Sequence, residues 1–212
     1  MPNATFFNLP ESKRTALIDC ALEEFAANDY NSASISRIVA QLGIAKGSLY
    51  QYFTDKADLY RYLLTLAAEK KAELLRQASP PADQTVFSTL AWLFTEMSRY
   101  QALYPRYAAL ADRALRENNA HMDAAIRDAS AGTAHYFTQL LDAAQARGEL
   151  RAGADTAAAA LLLTGALHAL HDQLEQQSLT SQDPEIYLQA ARNWYMRLLA
   201  VLRSGIAPLV EN

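Results

Sequence analysis

The chain has 212 residues, enough for a sizeable hydrophobic core in one domain or in a small domain joined to a larger one. Only 7 Gly and 7 Pro interrupt a sequence rich in Ala, Leu, Glu, Gln and Arg, which favours helices and leaves little material for strands. The net charge of −4 excludes nucleic-acid binding through a large excess of positive charge, so any such contact depends on where a few cations lie.

Cysteine usage and hydropathy indicate a soluble, cytoplasmic protein with no membrane partner. Cys20 is the only cysteine, so no intrachain disulfide can form. It lies in an apolar helical row with Ala16 and Leu17, which favours a buried structural thiol over a redox sensor. The longest apolar run, residues 157–163, is far shorter than the about 20 residues of a membrane span, and no signal-peptide pattern is present.

The first 28 residues are predicted to contain a loose arm and one helix. Residues 1–9 have no periodic pattern and are expected to form the arm. A helix follows from about Pro10 to Asn28, and its inner face carries Leu17, Ile18, Ala21, Leu22 and Phe25. Residues 1–57 contain five basic and six acidic side chains, so we expect the electrostatic affinity for nucleic acid per subunit to be modest.

A short amphipathic helix that ends at a glycine starts a helix-turn-helix pattern between residues 33 and 59. Ser34 is a natural N-cap. Apolar residues then recur at helical spacing, at Ile35, Ile38, Val39 and Leu42. Gly43 is predicted to adopt the left-handed conformation that ends a helix, and Ile44 follows as the apolar residue of the turn.

The next helix, predicted from about Lys46 to Tyr52, has the residue types of a DNA recognition helix. Leu49 and Phe53 turn inward, which leaves polar and aromatic side chains on the free side. A recognition helix places its N-terminal residues at base edges in the major groove, while lysine, tyrosine and hydroxyl groups bind phosphate oxygens.

A long helix is predicted from Asp55 to about Gln77. Asp55 and Asp58 form a variant of the capping box at its start. Lys56 lies in the first turn, where a cation gains nothing from the helix dipole, so an external anion is its expected partner. The helix would span about 33 Å, long enough to connect two modules rigidly. Two prolines at positions 80 and 81 then break the chain.

The segment from about residue 10 to residue 60 resembles the DNA-binding domain of the TetR family of bacterial transcriptional regulators. The resemblance lies in residues 30–34, 38–44, 46–47, 49–50, 52–53 and 56–59. Three positions depart from the family pattern. Val39 stands where the family usually has alanine, Ala45 where it often has a serine or threonine cap, and Asp29 where it often has glycine.

Composition and this resemblance together predict an all-α protein of about nine helices. Residues 1–57 would form a three-helix helix-turn-helix DNA-binding domain, and residues 58–212 a larger helical domain for effector binding and dimerisation. The expected partner is double-stranded operator DNA, contacted by Ser34, Arg37, Lys46, Gly47, Ser48, Tyr50, Gln51, Tyr52 and Lys56. We assign Lys46, Ser48 and Gln51 chiefly to base edges, and Tyr50, Tyr52 and Lys56 chiefly to phosphates.

Five further helices are predicted after the prolines. They cover about residues 83–101, a segment opened by Pro105, residues 118–147, residues 155–177 and a segment that begins at Pro184. Aromatic side chains cluster in the first three of them. Because buried tyrosine hydroxyls need polar partners, this cluster favours a cavity with an apolar wall over a filled core.

The resemblance implies a cavity for a small apolar or aromatic effector within the larger domain. The predicted lining residues are Leu63, Leu66, Trp92, Met97, Tyr100, Tyr104, Tyr107, Phe137, His168 and His171. His168 and His171 are three residues apart on one helix, but a metal site needs further ligands, so we predict a pocket or interface role and no metal. No cofactor is expected, because the sequence has no Gly-rich phosphate loop.

A homodimer is predicted, formed by the last two helices packed as a four-helix bundle with their symmetry mates. The predicted interface residues are Leu161, Gly165, Trp194, Tyr195 and Leu198. A twofold dimer would bring two recognition helices to major grooves about 34 Å apart or slightly more, which requires a near-palindromic site.

These patterns favour a transcriptional repressor that an effector releases from its operator. The alternative is a constitutive DNA-organising or partner-binding helical protein with a filled core. An enzyme is a third reading, but the sequence has neither a nucleophile elbow nor an HExxH motif. Hydrophobic drug-like, aromatic and acyl effectors all fit the pattern, and the sequence does not choose among them.

Overall fold

A computed structural model describes residues 2–116, 124–178 and 184–206 of the chain. The described residues form ten helices and no strand, which confirms the all-α prediction. The helices are α1 (Ala4–Phe7), α2 (Glu11–Ala27), α3 (Ile35–Leu42), α4 (Lys46–Leu49), α5 (Lys56–Gln77), α6 (Val86–Leu103), α7 (Pro105–Arg116), α8 (Ala124–Ala146), α9 (Thr156–Ser178) and α10 (Pro184–Ile206).

The additional helix is α1, at the position where a loose arm was expected. This expectation was wrong, because Phe6 is 0% exposed and packs in the core of the N-terminal helices. Its ring centroid lies 5.1 Å from that of Phe53 and 5.4 Å from that of Tyr62. A four-residue helix is too short to produce a helical period in the sequence, so the pattern carried no signal for it.

Local capping fixes the ends of α3 as the sequence predicts. The Ser34 side chain accepts a hydrogen bond from the backbone N–H of Arg37 at 3.4 Å. Gly43 has a φ of 67°, the left-handed conformation, and its N–H donates to the carbonyl of Ala40 at 3.2 Å. Ile44 N–H donates to the carbonyl of Val39 at 3.1 Å, which completes the helix end.

The capping box before α5 is also present. Asp55 accepts a hydrogen bond from the N–H of Asp58 at 2.7 Å, and the Asp58 carboxylate accepts one from the N–H of Thr54 at 3.1 Å. The returning bond ends one residue earlier than in the standard motif. Asp58 is 2% exposed, so this carboxylate ties the 53–55 turn to the helix from inside the protein.

The chain forms two compact units, one of residues 1–73 with 104–127 and one of residues 74–103 with 128–212. The first unit therefore extends beyond residue 57, the proposed functional boundary. It includes α7 because Leu110 and Ala114 are 0% and 1% exposed in the same core as α2 and α3. The Arg113 guanidinium also donates to the carbonyl of Ala26 at 3.1 Å.

The second unit has its core between α6, α8, α9 and α10. Phe94 of α6 is 0% exposed, and its ring stacks on that of Tyr195 with centroids 4.6 Å apart. The N–H of Val86, at the start of α6, donates to the Glu149 carboxylate at 2.6 Å. Within the described part of the chain, no helix is long and apolar enough to cross a membrane.

Candidate nucleic-acid interface

The recognition segment consists of a single α-helical turn followed by a tighter turn. α4 ends at Leu49, three residues earlier than predicted. The N–H of Gln51 donates to the Ser48 carbonyl at 3.2 Å, and the N–H of Tyr52 donates to the Leu49 carbonyl at 2.9 Å. These are i to i+3 bonds, which tighten the chain as in a 3₁₀ turn.

The two faces of this segment divide as the apolar pattern predicts. Leu49 and Phe53 are each 1% exposed and belong to the core of the first unit. On the opposite side, Lys46, Gly47, Tyr50 and Gln51 are exposed, while Ser48 and Tyr52 are half-buried. A surface of lysine, glycine, hydroxyl and amide groups is therefore presented next to α3, an arrangement suited to contact with a DNA major groove.

Arg37 joins α3 to α2, a role that the sequence pattern did not reveal. Its Nε donates to both carboxylate oxygens of Glu24 at 3.0 Å, and its Nη2 donates to the same carboxylate. Nη2 also donates to the carbonyl of Ser32 at 2.8 Å. The guanidinium thus has two internal partners, although the side chain remains 54% exposed.

Lys56 has internal partners as well, where the sequence predicted an external anion. Its Nζ donates to the carbonyl of Ala33 at 2.6 Å and to that of Asn31 at 3.1 Å. The same ammonium lies 4.7 Å from the centre of the Tyr30 ring. Burial lowers the pKa of Lys56. Lys56 therefore holds the turn before α3 against the start of α5, and its assignment to phosphate needs revision.

Glu24 is the acceptor that organises the start of α3. Besides Arg37, it accepts a hydrogen bond from the backbone N–H of Ser34 at 2.7 Å. The hydrogen bond from Arg37, the hydrogen bond from Ser34 and the nearby positive charges together hold the pKa of the Glu24 carboxyl below its usual value, against the effect of burial. Glu24 was not among the sequence-predicted site residues, because its partners lie ten and thirteen positions away.

The residues predicted to line an effector pocket fall in both compact units. In the first unit, Leu63 is 0% exposed inside the core, and Leu66 is half-buried. The Lys70 ammonium lies 4.8 Å from the Tyr104 ring centre and 5.4 Å from that of Tyr107. Leu63 is thus a core residue, while Tyr104 and Tyr107 form a half-buried pair beside a cation.

In the second unit the described candidates for a pocket lie at different depths. Tyr100 and Phe137 are 5% and 4% exposed, and Met97 is half-buried. Trp92 lines an open groove of about 330 Å³ between α6 and α10, together with Ala91, Thr95, Arg192, Tyr195 and Met196. The side chains of His168 and His171 lie outside the described residues. Among the described residues, no three His, Cys, Asp or Glu side chains form a group suited to a metal ion.

The residues predicted to form a dimer interface lie at different depths. Leu161 is 71% exposed and Gly165 is also exposed, whereas Trp194 and Leu198 are half-buried. Tyr195 is 4% exposed and stacks on Phe94 within the same subunit, so it is a core residue and has little surface to offer an interface.

The buried apolar face of the recognition segment, its exposed polar face and the capped helix before it define a DNA-binding helix-turn-helix protein. The family model described as "Bacterial regulatory proteins, tetR family" matches residues 17–63. A TetR family transcriptional regulator from Chloroflexus aurantiacus J-10-FL is 37% identical; the match covers 99% of this chain and 100% of that one, with a TM-score of 0.89. The chain belongs to the TetR family of bacterial transcriptional regulators, which are not enzymes.

Two further comparisons are with regulators from Bacillus subtilis. The "Fatty acid metabolism regulator protein" of Bacillus subtilis (strain 168) is 26% identical over 157 residues, which are 73% of this chain and 79% of that protein. A structure of FadR from Bacillus subtilis in complex with stearoyl-CoA has a TM-score of 0.67 at 21% identity, covering 90% of this chain and 98% of that one. At that identity the structural likeness shows a shared fold.

Replacing Glu24 by glutamine tests the link between α2 and α3. We expect Glu24→Gln to lower the free energy of unfolding at pH 7 by about 1 kcal/mol, a figure reduced for the exposure of Arg37. Because the folded-state pKa of Glu24 lies below the unfolded value of about 4.3, this stabilisation is complete above that value and is lost as the pH falls through the folded pKa. Urea unfolding curves between pH 7 and pH 3 measure the difference.

Glu23→Gln is the matched control, since it makes the same charge change at the exposed neighbouring position, where the carboxylate accepts one bond from the Gln41 amide at 3.1 Å that a glutamine oxygen can also accept. The free energies of unfolding of the parent and of Glu23→Gln should differ little at every pH. For Glu24→Gln, the difference from the parent should be present at pH 7 and disappear in acid. Equal stability profiles for both variants would contradict the assigned role of Glu24.

Proposed function

We propose that this regulator binds double-stranded operator DNA as a homodimer and represses transcription until a small, mostly apolar effector releases it. The observation that carries the DNA-binding part is the recognition segment, whose Lys46, Gly47, Tyr50 and Gln51 are exposed above the buried Leu49. Family membership supports the same reading, because TetR family proteins are DNA-binding transcription regulators.

The contacts of Lys56 and Arg37 modify the proposed roles of the DNA-contacting residues. We assign Lys46, Ser48 and Gln51 to base-edge readout and the two tyrosines, Tyr50 and Tyr52, to phosphates. Arg37 and Lys56 act mainly by holding the helices of this domain together, since both already bind carbonyl or carboxylate oxygens of the protein. Gly47 leaves space for close approach, because an added Cβ at this position would meet nothing within 4 Å.

Selection from a random duplex library, followed by affinity measurements, tests this assignment. Gln51→Ala should lose about 1–3 kcal/mol of discrimination at one base position of each half-site, because a base contact is removed. Tyr50→Phe should weaken selected and random duplexes by a similar factor, because only a phosphate contact is lost. Gln139→Ala, at an exposed glutamine of α8, is the control and should bind like the parent. If the parent enriches no sequence, the operator-binding proposal is wrong.

The dimer proposal is supported by exposed apolar side chains on α9 and α10. Leu161 and Leu162 are 71% and 68% exposed, and they lie on the same face of α9 as Gly165. On α10, Met196 and Val201 are 55% and 74% exposed. An apolar face of this kind marks an interaction surface, and a second copy is the partner proposed here because twofold dimers supply two recognition helices for one operator.

Light scattering at micromolar concentration tests the dimer. The parent should have about twice the subunit mass of 23.4 kDa. Leu161→Glu should shift the mass toward one subunit, because a charge buried in an apolar interface is strongly unfavourable. Leu103→Glu is the matched control, since Leu103 is also exposed, at 56%, but lies at the end of α6. A parent of single-subunit mass, or equal masses for the two variants, would refute the proposal.

For the effector we propose an acyl compound, a choice that the sequence alone left open. The support is the likeness to the fatty acid metabolism regulator of Bacillus subtilis. The half-buried pair Tyr104 and Tyr107 also offers hydroxyls beside apolar ring surface. To shift DNA occupancy, the effector must bind the released state more tightly by a few kcal/mol.

Titration with stearoyl-CoA tests the effector. We expect it to raise the Tm of the DNA-free protein and to release the selected duplex, because a ligand stabilises the state that it binds. Free coenzyme A is the control and should do neither, since it lacks the acyl chain. If acyl, aromatic and drug-like compounds all leave both Tm and DNA binding unchanged, the constitutive DNA-organising alternative takes the place of this proposal.

A further inference from the structure

The C-terminal end of the recognition segment depends on hydrogen bonds from outside the helix-turn-helix. α4 has four residues, and a helix of that length is not stable by itself, because nucleation fixes several backbone dihedrals for one hydrogen bond. The last carbonyl groups of a helix also have no partner within it. The position of the residues that follow α4 therefore has to be fixed by other contacts.

Asn3 and Thr5 supply these contacts to the carbonyl groups of Gln51 and Tyr52. The backbone N–H of Asn3 donates to the Tyr52 carbonyl at 2.8 Å. The Gln51 carbonyl accepts two bonds, from the Thr5 hydroxyl at 2.5 Å and from the Asn3 side-chain amide at 3.2 Å. Residues nearly fifty positions apart in sequence are thus joined by three hydrogen bonds.

Phe6 anchors the donors in place. It is 0% exposed, and its ring contacts those of Phe53 and Tyr62, with centroid distances of 5.1 and 5.4 Å. At the other end of α1, the Arg14 guanidinium donates to the Phe7 carbonyl at 2.9 Å, which ties the segment to α2. The N-terminal segment is therefore held on both sides.

We propose that residues 3–6 are a positioning element for DNA recognition: they fix the peptide groups of Gln51 and Tyr52 and so set the direction of the Gln51 side chain. No contact between residues 3–6 and DNA is required. A shift of this turn would move the Gln51 amide away from a base edge while leaving Lys46 at the start of α4 in place. The part of the proposal that concerns DNA depends on the proposed function, whereas the positioning of the turn does not.

Amide hydrogen exchange of the full chain without DNA tests the positioning directly. The exchange of the Gln51, Tyr52 and Phe53 amides should accelerate about fivefold or more in Thr5→Val, because the Gln51 carbonyl loses the nearer of its two donors and the turn opens more often. Amides of α3 should keep their rates. Thr5→Ser should restore the parent rates, since it retains the hydroxyl.

Phe6→Ala and Phe7→Ala form a matched pair, because adjacent phenylalanines are 0% and 52% exposed. Phe6→Ala should accelerate the same amides at least as much as Thr5→Val, and Phe7→Ala should not. Should Phe6→Ala fail to fold, the exposed Thr5 position still decides the question. Unchanged exchange at residues 51–53 in Thr5→Val, or equal acceleration of all α3 amides, would overturn the positioning role.

The affinity for DNA tests the consequence for recognition. For the duplex that the parent selects from a random library, Thr5→Val and Phe6→Ala should bind about tenfold more weakly, while affinity for random duplex changes by less than about threefold. A purely global loss of stability would lower both alike. An unchanged ratio of selected to random affinity would overturn the link to recognition. A parent that selects no sequence would refute operator binding, and the exchange result would still decide the positioning.

Discussion

The recognition segment is a single helical turn, and its position depends on the burial of Leu49 and Phe53. Both side chains are 1% exposed in a core that also includes Phe6, Tyr60 and Leu63. Burying one such side chain contributes about 1.5–3 kcal/mol, more than one turn of helix can supply by its own hydrogen bonds. The packing of Leu49 and Phe53 thus fixes the position of the exposed face that carries Lys46, Tyr50 and Gln51.

Several of the cations near the helix-turn-helix bind oxygen atoms of the protein itself. Arg37 binds Glu24 and the Ser32 carbonyl, Lys56 binds two carbonyls of the turn before α3, and Arg14 binds the Phe7 carbonyl. Of these three, only Arg37 is paired with a carboxylate, but a chain with a net charge of −4 has no excess of positive charge for non-specific attraction. Affinity for DNA would then come mainly from hydrogen bonds and shape at the recognition segment, whose geometry must be correspondingly well fixed.

α10 illustrates how one helix serves two surfaces. Tyr195 points into the core of its own subunit and stacks on Phe94, and Met196 lines the groove beside α6. Val201 is 74% exposed and lies about 120° from Tyr195 around the helix. Adjacent residues on a helix are about 100° apart, so one helix can present apolar side chains in two directions. Each of these faces then needs its own partner to be buried. The first partner is α6, and for the second we propose another copy of the chain.

The sequence by itself determined the features whose causes lie within a few residues. The Ser34 cap, the left-handed Gly43, the Asp55 and Asp58 capping box and most helix bounds follow from side chains that meet across one helical turn, and periodicity correctly placed Leu49 and Phe53 inside. Only the tertiary structure decided the partners of Glu24, Arg37 and Lys56, the burial of Tyr195, and the docking of Phe6 beside Tyr62. These contacts join residues far apart in sequence, and no local pattern distinguishes a lysine that will meet a carbonyl from one that will meet a phosphate.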